Sequence, residues 1–310
     1  MITSVALNPA LDKIYFVDNF EPGKMFRVQD MVKSAGGKGV NVARVVRMMG
    51  ESVRLIGFKG GEAGNWLESE IKKIGICTGF VEVSGETRTN NNIIDRARDN
   101  ETEVLESGPF ISGEDMERFM TVYKEALADS KVVVLSGGLP QGVPANYYKT
   151  LIEEAKPFDV PVILDTGGEA LSEGIKAKPH VIKPNLRELS NLVKKELRDT
   201  EEILEVLGKI NDEGIDIAMV SMGDKGAILS MKDSCIRVKV PHIDAVNTIG
   251  SGDAMVAGFA MGLAKKKPPK ECLKLAAACG MSNARFLEIG VVNKNEVEVL
   301  KDRVEIEKIF

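Results

Sequence analysis

Short apolar blocks alternate along the chain with longer stretches of helical spacing. Residues 2–7 read as a buried strand, and 52–58, 78–83, 132–135, 160–165, 181–182 and 217–221 as further strands. Between them, apolar positions at helical spacing predict helices over 62–74, 113–127, from about Pro144, and over 201–211. Residues 34–50 read as a glycine turn leading into an amphipathic helix with Val42, Val45, Val46 and Met49 on its apolar side and Gly50 as its cap. This rhythm predicts an α/β layered fold with a mostly parallel central sheet flanked by helices. Residues 227–231 and 236–240 extend it as an antiparallel portion, and two helices close it, one opened by Asp253 and one over 270–286.

Two stretches break the rhythm. Short alternating runs at 14–17 and 25–32 flank a Pro22-Gly23 turn and read as a hairpin. The threonine- and asparagine-rich stretch 86–106 reads as two exposed strands. Together, about 12–33 and 86–107 predict a small β-sheet lid. No internal repeat, low-complexity tract or Pro/Ser-rich linker appears, so a single domain over 1–310 is expected.

Composition narrows the function. The 310 residues are 44% hydrophobic and 28% charged, ordinary globular material, and the net charge of -5 argues against a general nucleic-acid binder. A local basic pocket for a phosphorylated small molecule remains compatible with that charge. No run approaches the roughly 18 to 20 apolar residues needed to span a bilayer, and the amino terminus has no signal-like pattern, so no membrane partner and a cytoplasmic location are expected. The four cysteines form no C-x-x-C pair, and Cys272 and Cys279, seven apart, are expected to pack in the core. Only two histidines occur, His180 and His242, in contexts resembling strand starts, which weakens Ser-His-Asp or Cys-His chemistry. Any metal should be a hard cation held by oxygen.

The chemistry concentrates in N-T-I-G-S-G-D, residues 247–253. Gly250, Ser251 and Gly252 form a turn that opens a helix, where free backbone N–H groups and the helix dipole favour an anion. Asp253, a carboxylate placed among those amides, suits a base that takes a proton from a hydroxyl attacking a phosphoryl group. Asp12, Ser136-Gly137, Asp165 and residues 221–226 all follow the carboxyl ends of predicted strands, the edge where open α/β sheets bind ligands. Lys38 lacks the surroundings of a P-loop lysine, and Gly250-x-Gly252 lacks the third glycine of a dinucleotide fingerprint, which disfavours an NAD-dependent reductase.

Seven motifs in order, N-P-A-L-D, G-G-K-G-V-N, T-R-T-N, S-G-G-L-P, K-P-N-L-R-E-L, S-M-G-D-K-G-A and N-T-I-G-S-G-D, resemble the ribokinase-like (PfkB) sugar kinases. Within them the chain is most similar to the branch containing 1-phosphofructokinase and tagatose-6-phosphate kinase. The resemblance implies Asp253 as base and Gly250, Ser251 and Gly252 as the anion hole. At a helix start the carboxylate of Asp253 is expected to stay ionised, a weak base in a reaction that needs positioning most.

On the sugar side the resemblance implies Asp12 orienting hydroxyls, Gly36, Gly37 and Gly39 bringing amides close, and Asn41 supplying hydrogen bonds. Lys38 and Arg88 predict a substrate that already carries a phosphate, with Ser136 and Gly137 as neutral donors. On the nucleotide side it implies ATP against Ser221, Gly223, Asp224, Gly226 and Gly252, with Asn283 bordering the adenine. Asn185 and Glu188 would organise Mg²⁺, Glu188 through water, or alternatively serve only as a helix-start capping pair. The expected partners are a sugar phosphate and ATP, with a homodimer through the lid. The chain departs from the branch at Asn92, where a lysine is usual, at Gly138 and at Ser251. A regulator that kept the fold without turnover would be expected to lack the base, and Asp253 is present.

Overall fold

The computed structural model describes residues 1–310. Strand β1 (Ile2–Ala6) leads into β2 (Ala10–Val17), and β3 (Met31–Gly36) returns to start α1 (Lys38–Met48). Then come β4 (Val53–Lys59), α2 (Gly61–Lys73), β5 (Cys77–Glu82), β6 (Thr89–Asp95) and β7 (Asn100–Leu105). The next units are α3 (Gly113–Asp129), β8 (Val132–Ser136), α4 (Tyr147–Ala155), β9 (Val162–Asp165), α5 (Gly168–Ile175), β10 (Val181–Ile182), α6 (Leu186–Val193) and α7 (Thr200–Asp212). The chain ends with β11 (Ile217–Ser221), β12 (Ala227–Met231), β13 (Ser234–Lys239), α8 (Ser251–Ala264), α9 (Pro269–Ala284), α10 (Lys294–Arg303) and β14 (Glu305–Lys308).

Ten strands form the main sheet in the order β14-β13-β12-β11-β10-β9-β8-β1-β4-β5. From β11 to β5 the neighbours are parallel, and β12, β13 and β14 are antiparallel. Side chains alternate across each strand, so a block such as Val132-Val133-Val134-Leu135 feeds two cores at once. Val132 and Val134 pack with α1, α2, α8, α9 and α10, while Val133 and Leu135 pack with α3 to α7. A short, wholly apolar run is what a strand covered on both faces requires.

The most intimate helix pair is α8 with α9. A methyl group added at Gly258 would lie 2.7 Å from the Ala276 Cα, and one at Gly262 would lie 2.6 Å from the Cys272 sulfur. Small residues thus let the two backbones approach, which holds the helix carrying Asp253 against the core. Cys272 and Cys279 are buried free thiols there, the packing role expected of them.

The lid is a separate sheet in the order β3-β2-β6-β7. Its strands differ in register from the expectation. The second strand of the early pair lies at Met31–Gly36, not 25–32, because Ala10 to Tyr15 pair with Gly36 to Met31 and draw the glycine segment into the sheet. Residues 18–30 between them form neither strand nor helix, and Met25 is exposed. Asp12 sits inside a lid strand, opposite Asn90 of β6. The chain also does not close with two helices. Helix α10 shows only Val297 and Leu300 to the core, with Val299 exposed and the rest polar, and β14 pairs with β13 at the sheet edge.

Candidate active site

Because the strands from β11 to β5 are parallel, their carboxyl ends share one edge. Ser136 ends β8, Asp165 ends β9, Lys183 follows β10 and Ser221 ends β11. The start of α8 faces this edge. Gly250, with φ of 79°, is its N-cap in a left-handed conformation that favours glycine, and Asp253 lies in its first turn. The N–H groups of this turn have no intrahelical acceptors.

Asp253 is 7% exposed and accepts a hydrogen bond of 2.8 Å from the Asn41 side-chain amide on α1. The expectation that the helix start keeps it an ordinary ionised carboxyl is corrected. Burial, followed by the nearby Asp165 carboxylate, pushes it well above the usual carboxylate value, and these outweigh Asn41, Lys38 and Lys183. Its proton affinity is thereby that of a more capable base.

Asp165 itself is fully buried. Burial opposes its charge, yet Lys183 at 3.1 Å and Lys38 at 3.6 Å hold it below the usual carboxylate range. Lys183 is a residue sequence reasoning passed over, although it opens the K-P-N-L-R-E-L motif. A Cβ at Gly252 would sit 3.4 Å from its ammonium, so this buried cation borders the anion hole.

A cavity of about 180 Å³ lies beside this cluster, lined by Asn8, Gly37, Lys38, Gly39, Arg88, Ser136 and Gly137 among others. Arg88 donates through Nε to the Asn8 carbonyl at 3.1 Å. The Lys38 ammonium sits 3.5 Å from Glu188, between the cavity and the carboxylates, not beside Arg88 alone. Asp165, ahead of the opposing burial penalty, raises its affinity for its proton.

Asp12 is half-buried and accepts from Asn90 at 2.8 Å, and burial raises its carboxyl above the usual value. Gly36 is required beneath it, since a Cβ there would overlap the Asp12 carboxylate. The side-chain oxygens of Asn8, Asn41 and Asn90 are buried without partners. Orphaned acceptors of this kind are costly unless a ligand supplies donors, and a polyhydroxylated molecule does so.

Two of the expected sugar contacts, Ser136 and Gly39, line this cavity and also meet groups inside the protein. Ser136 spends its hydroxyl on Asp165 at 3.0 Å. Gly39 is buried against β1, where a Cβ would come 2.6 Å from the Val5 carbonyl, and it also lines the cavity.

At the α8 turn lies a second cavity of about 620 Å³. Ser221, Gly223, Asp224, Gly226, Ser251 and Gly252 give it a polar rim, and Val240, Ile243, Met255 and Met281 give it apolar walls. His242, read as preceding a strand, lies in an irregular segment and lines this cavity. Asn283 does not line it. Its amide is fully buried, donating to the Ile249 carbonyl at 2.9 Å and accepting from the Gly290 N–H at 2.8 Å.

Asn185 and Glu188 form a reciprocal capping box at the start of α6. Asn185 accepts from the Glu188 N–H at 2.8 Å, and Glu188 Oε2 accepts from the Asn185 N–H at 2.9 Å. The other Glu188 oxygen, Oε1, faces Lys38. The capping and site-facing roles are therefore compatible. No three carboxylate, histidine or cysteine side chains converge as a protein cage for a metal.

A small polar cavity at the sheet edge, a larger half-apolar cavity at the α8 start and a buried carboxylate in the first turn of that helix suit a phosphotransferase. A family model described as pfkB family carbohydrate kinase matches residues 5–285. Phosphofructokinase-2 from Escherichia coli, in complex with fructose-6-phosphate, superposes with a TM-score of 0.91 at 26% identity, over 97% of this chain and 98% of that one. A chain described as possible 1-phosphofructokinase from Thermotoga maritima gives 0.86 at 27% identity, over 100% and 99%. The chain belongs to the pfkB family of carbohydrate kinases. It has their ribokinase-like fold and is a phosphotransferase acting on a sugar hydroxyl.

Proposed function

We propose that the chain phosphorylates a ketohexose phosphate with ATP, with fructose 1-phosphate going to fructose 1,6-bisphosphate as the first reading. The observation that carries it is the cavity where two cations, Lys38 and Arg88, meet the unpartnered Asn8 oxygen close to Asp12 and Asn41. Cations suit a phosphate already on the substrate, and the orphaned acceptors suit its hydroxyls.

The polar rim and apolar walls of the larger cavity suit a nucleotide. In the reaction the sugar hydroxyl oxygen bonds to the terminal phosphorus of ATP, the bond from that phosphorus to ADP breaks, and Asp253 takes the hydroxyl proton. The free N–H of Gly252 stabilises charge on the migrating group, while the Ser251 N–H donates to the Thr248 carbonyl at 3.2 Å. Glu188 Oε1 and the absence of a protein cage fit a Mg²⁺ that keeps most of its waters and arrives with the nucleotide. When bound, the ion neutralises phosphate charge.

ADP release measured over fructose 1-phosphate, tagatose 6-phosphate, fructose 6-phosphate and ribose, with and without Mg²⁺, tests the reading. The expected order of kcat/KM follows that list, with ribose last. A preference for ribose would overturn the phosphate assignment.

The homodimer expected through the lid is retained as part of this proposal. Met31, Val104 and Leu105 expose apolar surface on lid strands, at 50%, 54% and 57%. Light scattering is expected to give a dimer that Val104→Glu together with Leu105→Glu disperses, and a monomeric parent would remove the idea.

A further inference from the structure

Arg44 belongs to no motif and lines neither cavity. It stands on α1, one turn beyond Asn41, and makes no ion pair. Its guanidinium instead joins two separate segments of main chain. One arm donates to the carbonyl of Ala35, at the end of lid strand β3, and the other donates to the carbonyl of Ile289 at 2.6 Å. A planar, two-pronged donor spent on two carbonyls fixes their separation in a way no single-pointed cation can.

Each end of this clamp leads to a reacting part. Ala35 precedes Gly36, against whose backbone the Asp12 carboxylate lies, and Arg44 also lies within the electrostatic reach of Asp12. Ile289 precedes Gly290, which is buried against α1. A Cβ on Gly290 would come 3.1 Å from the Asn41 Cα and 3.2 Å from Arg44 Nη1. The Gly290 N–H is held by Asn283, whose amide in turn holds the Ile249 carbonyl. Ile249 precedes Gly250, and a Cβ on Gly250 would meet the Ile289 side chain at 2.5 Å. Ile289 and Gly290 are thus wedged between α1 and the start of α8.

We propose that Arg44 and Asn283 are positioning residues that tie the lid end of the sugar site to the α8 turn, so that seating the sugar sets the geometry of transfer. The relay runs from Ala35 through Arg44, Ile289, Gly290 and Asn283 to Ile249. It rests on the reading that the α8 turn and Asp253 carry the transfer. Neither residue touches substrate. Their contribution is to the placement of groups that do, where an error of about 1 Å costs about 100-fold.

The test is a double-mutant cycle with Arg44→Met and Asn283→Ala on the full chain, reading kcat, both KM values and thermal midpoint. Each single change is expected to lower kcat about 10- to 100-fold while KM for ATP stays within about threefold. The double variant is expected to fall little further than the worse single one, because either break already uncouples the relay. Arg44→Lys is expected to recover part of kcat. Losses that multiply in the double variant, or a kcat within about twofold of the parent, would overturn the proposal. If Arg44→Met does not fold, Arg44→Lys with Asn283→Ser carries the same cycle. Asp253→Asn, measured alongside, separates the two levels: near-normal turnover there removes the assigned base, whatever the cycle shows.

Discussion

Asp253→Asn is expected to lower kcat by about 10² to 10⁴ while leaving ATP affinity near that of the parent. The change conserves shape, and the new side chain keeps an oxygen that can accept from Asn41, so the fold should be indifferent to it. What disappears is the only acceptor at the α8 start able to take a proton from the attacking hydroxyl. Turnover close to the parent's, measured by ADP release, would take the base away from this position. The pH dependence follows from the same environment. The base works only when deprotonated, and burial together with Asp165 raises its proton affinity. Activity should therefore fall on acidification at a pH above the ordinary carboxylate value of 3.8, and not at it. An acid limb at or below that value would contradict the buried, like-charged setting.

Arg88→Ala is expected to raise KM for the sugar phosphate by about 10- to 160-fold, since a charge-assisted bond to phosphate in a partly enclosed site is worth roughly 1.5 to 3 kcal/mol. KM for ATP should move far less, because Arg88 lines the smaller cavity and not the larger. Equal losses on both substrates would mean that the two cavities have been assigned the wrong way round. Lys38 is not the matching probe that the sequence suggests. Its ammonium stands between the cavity and the Asp165 and Glu188 carboxylates, so its removal would disturb both sides.

The parts of the fold that were legible in the sequence are those where burial on two faces leaves no other choice. Val132 to Leu135 and Ile217 to Ser221 are apolar at almost every position, as a strand covered on both faces requires. The turn at Gly250 was legible because a left-handed residue before an apolar helix asks for glycine. The lid was harder to read. Its strands are half-exposed and polar, so composition placed it correctly while the register, set by pairing between Ala10 and Gly36, had no local signature. Helix α10 was hidden for the opposite reason, with two buried residues in ten being too thin a stripe to see.

Within the site, motifs located the charged groups but not their partners. Ser136 and Asn283 were read as ligand contacts because their neighbours resemble such contacts. Their hydrogen bonds are instead spent inside the protein, on Asp165 and on two loops. Long-range pairing of this kind leaves no trace at short spacing. Arg44 was missed outright, because an arginine on the polar side of an amphipathic helix is ordinary until its two carbonyl partners, one of them 245 residues away, are known.

The close approaches of Gly258 to Ala276 and of Gly262 to Cys272 between α8 and α9 make Asp253 the stator of this machine. A helix whose backbone already touches its neighbour has no slack to swing, so its carboxylate keeps one position relative to the sheet edge.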